Sequence, residues 1–203
     1  MWHSRYVSEG RDNLDDGGMG TVEASVAYKD FSVGTWYGIA DTVSYDELNL
    51  FAEYCFELGQ LDFYGGYNRL EFMKDDEYDN ELCAGAAWNV ADWFVPAVDY
   101  VYSTEAQGGD GGSFIEASLT TPLKFFDNRL YVGPYVMQAF DLGYASDHYD
   151  GFNNFQFGSC AHLSLSENLE LVGTANHSIA NHDVRKDGGG DETWFSVGFC
   201  ASF

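Results

Sequence analysis

Side chains in this chain change character at every second position. In 192–203, Phe195, Val197, Phe199, Ala201 and Phe203 share one face of an extended strand, and Ser196, Gly198, Cys200 and Ser202 share the other. A period of two with one apolar face describes a half-buried β-strand. The pattern recurs in 47–58, where Leu48, Leu50, Ala52, Tyr54, Phe56 and Leu58 oppose Asn49, Phe51, Glu53, Cys55 and Glu57. It recurs again in 79–90, 113–124 and 152–165. Read this way, the chain predicts twelve strands near 2–9, 19–29, 31–42, 47–58, 60–73, 79–90, 93–104, 113–124, 129–143, 152–165, 168–180 and 192–203. Helix-length apolar periodicity is not visible, nor is a repeat beyond the hairpin rhythm.

The connections alternate in length. Long ones at Arg11–Gly18, Asp41–Asp46, Lys74–Asn80, Glu105–Gly112, Tyr144–Gly151 and Asn181–Asp191 are interleaved with short ones at 29–30, 58–60, 89–92, 126–128 and 166–168. Such sorting belongs to membrane barrels, which have short periplasmic turns and longer outer loops. A soluble sandwich has no reason to sort its loops. Pro96 and Pro134 fall inside expected strands, and because proline cannot donate to a ladder a bulge or kink is expected near each.

No stretch approaches the roughly 20 apolar residues of a membrane helix. The mean hydropathy of -0.27 describes a water-soluble chain as readily as alternating barrel strands. In lipid every backbone N–H and C=O must be paired inside the protein, which leaves closure as the remaining option for strands. The expectation is an all-β fold: a closed, up-and-down antiparallel transmembrane β-barrel of 12 strands, one domain over 1–203. The location expected is the bacterial outer membrane, with Met1 replacing a removed leader.

The C-terminal strand, with its apolar face and terminal Phe203, resembles the last strand of bacterial outer-membrane barrels. Gly34-Thr35-Trp36-Tyr37, then Asp46-Glu47-Leu48-Asn49-Leu50, then Glu53-Tyr54 resemble an uncharacterised Phe-terminated family of such barrels, of about twelve strands. The resemblance covers roughly 20–70 and the terminus. It implies the barrel and no defined activity.

The net charge of -24, from 33 acidic and 9 basic residues, argues against nucleic acid as a partner, since that needs a basic footprint. By strand parity Glu23, Glu53, Glu57, Asp62, Glu81, Asp99, Glu116 and Glu170 point inward, with Arg5, Lys29 and Arg69 the main inward bases. Rings of carboxylates attract cations. These residues are therefore the expected pore lining of a passive channel for small solutes or cations, with Trp36, Phe51, Tyr64 and Phe114 as inward bulk. Expected partners are lipid, lipopolysaccharide and the solute itself, in a monomer or homo-oligomer. The alternatives are a closed structural or adhesive barrel working through its acidic loops, a membrane-embedded lipid hydrolase, and a soluble acidic sandwich.

Other constellations are weaker. Cys55, Cys83, Cys160 and Cys200 all point inward, but each pair sits two strands apart, about 10 Å, beyond disulfide reach. The Asp- and Gly-rich loops at 15–18, 75–77 and 187–192 carry oxygen ligands without the spacing of a calcium loop. His162 and Ser164 point inward with no third residue to orient the imidazole, and His177 and Ser178, being adjacent, point to opposite faces, so no catalytic site is expected. Neither a metal nor a cofactor is called for. Tyr6, Tyr28, Tyr37, Tyr54, Trp88, Phe94, Tyr100 and Tyr102 fit interface belts.

Overall fold

The computed structural model of this chain describes residues 1–104, 111–146 and 150–203. Parts of two expected loops, 105–110 and 147–149, lie outside the described residues. In chain order the strands are β1 (Trp2–His3), β2 (Val7–Ser8), β3 (Arg11–Asp12), β4 (Met19–Tyr28), β5 (Phe31–Ala40), β6 (Asp46–Leu58) and β7 (Leu61–Phe72). They continue as β8 (Glu77–Trp88), β9 (Val95–Ser103), β10 (Gly112–Thr120), β11 (Leu123–Phe125), β12 (Leu130–Leu142), β13 (Gly151–Ser166) and β14 (Leu169–Ala180). Helix α1 (His182–Lys186) precedes β15 (Glu192–Ala201).

From β4 onward each wall strand pairs antiparallel with its neighbour in sequence, and β1 closes the ring between β4 and β15. Trp2 opposes Gly20 on one side and Val197 on the other; His3 opposes Met19 and Ser196. Counting β10 and β11 as one interrupted strand, the wall has twelve: a closed, antiparallel, up-and-down barrel. The short turns gather at one end, where Lys29 and Gly59 take the left-handed conformation that tight hairpins require (φ 54° and 67°). The long loops gather at the other.

The pleat turns sequence parity into two surfaces. Leu82 lies beside Tyr67, Tyr67 beside Ala52, and Ala52 beside Val33, an outward row across four strands. Outward apolar side chains are exposed: Leu58 at 67%, Leu82 at 55%, Phe199 at 67%. A belt of this size would drive aggregation in water and matches the hydrocarbon of a bilayer. The buried apolar residues are few. One cluster, Phe114, Met137 and Ala139 with Tyr135 and Tyr144, sits on the inner face of the β10–β12 wall.

Four expectations are corrected. The first strand, expected over 2–9, stays in the wall only for Trp2–His3; the chain then turns inward, and β2 and β3 pair with each other alone. The strand expected over 113–124 breaks at Thr121-Pro122, resuming with Leu123 opposite Val132. Helix α1 was not foreseen; its five residues are too few to show a helical period. The prolines sit at ladder gaps without bulges. Pro96 lies just beyond the last β8 pairing at Ala87–Ala97, and Pro134 faces the β10/β11 break while keeping register with Ser159. The irregularity in β12 falls instead between Gln138 and Phe140.

Candidate functional site in the barrel lumen

The inward face of β4–β10 carries most of the acid. Glu23 pairs with Trp36, and both line a cavity of about 220 Å³ with Asn49, Phe51, Asn68 and Glu53. Phe51 can lie flat there because Gly34 opposite has no side chain: a Cβ would stand 2.3 Å from the ring. Toward the short-turn end the lumen opens into about 720 Å³ lined by Glu53, Glu57, Asp62, Asp99, Tyr64 and Cys55. Glu57 stands directly opposite Asp62. Asp99 stands opposite Glu116 and accepts from Tyr64 Oη at 2.8 Å. Asp62 accepts from Asn89 Nδ2 at 2.7 Å. Lys29, in the turn between β4 and β5, borders the same space. Its Nζ lies 5.5 Å from the Tyr28 ring.

Glu170 is not brought to this group. It sits on the opposite wall, where its two oxygens lie 3.3 Å from His162 Nδ1 and 3.3 Å from Ser164 Oγ. A third residue therefore does contact the imidazole. However, the serine donates to the carboxylate and not to the imidazole, so no nucleophile–base relay is formed. That wall is filled by hydrogen-bonded side chains. Gln156 Nε2 donates to Tyr135 Oη at 2.6 Å, and Asn176 is oriented to donate to Tyr135 at 2.8 Å and accept from Trp194 Nε1 at 3.1 Å.

Two bases do not stand on the inward face where they were expected. Arg69 aligns with Leu50 and Asn80 on the outward face, stacked 4.3 Å over Tyr78. Arg5 has left the wall and pairs with Asp16 at 2.5 Å, Glu192 at 2.6 Å and Asp12 at 3.5 Å. Tyr6, expected in an outer belt, is inside the mouth for the same reason. It stacks on Trp36 with 6.3 Å between ring centroids and donates to Glu47 at 2.8 Å. Burial, then the charge of Glu47, pushes its phenol upward.

The inward excursion of 4–18 shapes the long-loop mouth. Its two-residue turn is seated on β13: Asn153 Nδ2 donates to the Glu9 carbonyl at 2.7 Å, and Arg11 Nη1 donates to Asn153 Oδ1 at 2.8 Å. Arg11 also binds Asp187 at 2.6 Å and Asp183 at 3.3 Å. Between the hairpin and the β6–β9 wall a cavity of about 160 Å³ remains, lined by Tyr6, Glu9, Tyr45, Glu47, Asp79 and Tyr144. Glu47 accepts from Tyr6, from Tyr45 at 2.6 Å and from Asn49 at 2.9 Å. Glu81 accepts from Asn68 at 3.0 Å and from Tyr144. Glu47 was missed in the sequence, although stepping back by twos from Glu53 through Phe51 and Asn49 reaches it. Lys124, facing inward beside Tyr131, was missed because it lies beyond Pro122.

All four cysteines are free. Among the described residues, no group of three or more His, Cys, Asp or Glu is arranged to hold a metal ion.

The architecture is similar to that of two solved barrels. One is the KdgM porin, with 13% identity, a TM-score of 0.67, and 93% of this chain covering 94% of that one. The other is the NanC porin, with 8% identity, a TM-score of 0.66, and 100% of this chain covering 98% of that one. At these identities the likeness is one of fold. No protein-family model and no curated protein matches the sequence.

Proposed function

We propose that this barrel is an outer-membrane channel for the passive passage of small solutes, biased toward cations and neutral molecules. The observation that carries it is an imbalance of charge along the cavities of the barrel interior. Glu23, Glu53, Glu57, Asp62, Glu81, Asp99 and Glu116 line one side of the lumen, while Lys29 and Lys124 lie at its short-turn end. Carboxylates lining a narrow, low-dielectric passage raise the local concentration of cations and repel anions. The spaces of about 720, 220 and 160 Å³ narrow toward the long-loop mouth, which favours small solutes. The similarity of fold to two proteins named porins supports conduction over chemistry. Lipid and lipopolysaccharide would contact the outward apolar belt.

A second reading, a closed structural barrel, is favoured by the hairpin across the mouth. Single-channel recording in planar bilayers under a KCl gradient decides between them. Discrete steps with a cation-selective reversal potential are expected. A silent bilayer with correctly folded protein, both native and Arg11→Ala, would sink the channel.

A further inference from the structure

The tip of the inward hairpin holds a residue its backbone does not suit. Glu9 has φ 47° and Gly10 φ 75°, the paired left-handed geometry of a two-residue turn between β2 and β3, where Asn or Asp precedes Gly by preference. A glutamate there is strained, since its Cβ crowds the following carbonyl. Such an outlier persists only where its surroundings hold it. Here they do: Asn153 and Arg11 both donate to the Glu9 carbonyl, at 2.7 and 2.9 Å.

The carboxyl itself faces acid. Glu47 approaches from β6, Asp79 and Glu81 from β8, and Glu116 from β10; Tyr45 and Tyr144 reach in from loops, and Tyr6 stands on the hairpin's own stem. The cation that acts on it is Arg11, whose guanidinium also binds Asn153, Asp183 and Asp187. Burial pushes the Glu9 carboxyl up to about 7; a hydrogen bond from Ser8 and the charge of Arg11 pull it down, and the charges of Glu81 and Glu116 add to the upward push.

We propose that Glu9 is the proton-binding residue that decides whether the hairpin stays seated in the lumen mouth: protonated, it stays; ionised, it is released toward solvent. That seating controls current rests on the channel reading above; the proton linkage of seating does not. A free glutamate titrates at 4.5 and the seated one at about 7, so the proton binds the seated form more tightly. Seating is strongest below pH 4.5 and weakens as pH rises to about 7, by roughly two powers of ten in the seating equilibrium. The channel then closes in acid and opens near neutrality.

The test uses the full chain refolded into detergent and into planar bilayers, with Glu9→Gln as the permanently uncharged form. Glu9→Asn, which suits the turn, serves as a second variant should the first fold poorly. Trypsin at about pH 7.5 reports hairpin release by cleavage after Arg11; native protein is expected to be cut at least tenfold faster than either variant. In bilayers the native open probability is expected to rise between about pH 4.5 and about pH 7.5, and the variants to stay at the acid level. Equal cleavage of native and variant chains, or an unchanged pH response in Glu9→Gln, overturns the proposal. Silent bilayers together with a cleavage difference would overturn the channel and the control of current while leaving the proton-linked hairpin standing.

Discussion

Arg11 grips Asp187 with two nitrogens, Nε at 3.1 Å and Nη2 at 2.6 Å, across 176 residues of sequence. This fork ties the first inter-strand connection to the last, on the far side of the barrel closure. The same guanidinium reaches Asp183, whose side chain is fully buried and whose Oδ1 has no hydrogen-bond partner among the described residues. Arg11 thus ties the inward segment to the β14–β15 connection, as Arg5 ties it to Glu192 at the start of β15.

Arg11→Ala should therefore do more than delete a surface pair. It leaves Asp183 uncompensated in a buried position, a change that costs about 3 kcal/mol where the partner charge stays behind. The expected outcome is a lower denaturation midpoint in detergent, with the barrel still folded, and faster solute entry in liposome-swelling assays. An unchanged midpoint would mean that the fork contributes no more than an exposed ion pair.

Leu82 and Cys83 are neighbours in β8 that face different solvents. Leu82→Arg puts a charge against hydrocarbon and should cost about 2–4 kcal/mol, as for mid-bilayer positions of other barrels. Cys83→Ser changes a lumen-facing side chain and should cost less than about 1 kcal/mol. Equilibrium unfolding in lipid vesicles compares them. Equal losses would contradict two solvents on alternate residues.

Cys55 offers a charge probe of the larger lumen space. It is exposed and free and sits in the cavity with Glu53, Glu57 and Asp62. A cationic methanethiosulfonate should modify it several-fold to tenfold faster than an anionic one of similar size, and added salt should shrink the ratio as the carboxylates are screened. Mass spectrometry gives both rates. A ratio near one would remove the acidic field from the lumen.

Asp99 and Glu116 face each other across β9 and β10, with no base paired across the ladder from either. Neutralising both, as Asp99→Asn with Glu116→Gln, should lower the preference for K⁺ over Cl⁻ several-fold in the reversal potential, more at low salt than at high. The double variant should fold as well as the native chain, because it relieves a like-charge pair.

Much of this was legible in sequence. The pleat has a strict period of two, so each strand's apolar face, and with it the inward position of Glu53, Glu57, Asp99 and Glu116, could be read from local order. Loop lengths gave the sorting of the two ends, since a tight hairpin needs few residues. The count of twelve followed from the alternating segments, and closure from the need to pair every backbone group in lipid.

The mouth could not be read this way. Tyr6, Val7 and Ser8 continue a plausible strand, and nothing local says whether their backbone pairs with the wall or with Arg11 and Asp12. That choice depends on Asn153, Asp183 and Asp187, brought close only when β13 and α1 take their places. Parity likewise could not place Arg5, which had left the wall; Arg69 is an odd position of β7 where Asp62 and Tyr64 are even, so its outward place beside Leu50 and Asn80 follows from the alternation itself, and the expectation of an inward Arg69 broke that alternation. Local alternation determined the two faces because it is a property of the strand itself; tertiary structure alone decided what fills the mouth, because that depends on charges more than a hundred residues apart.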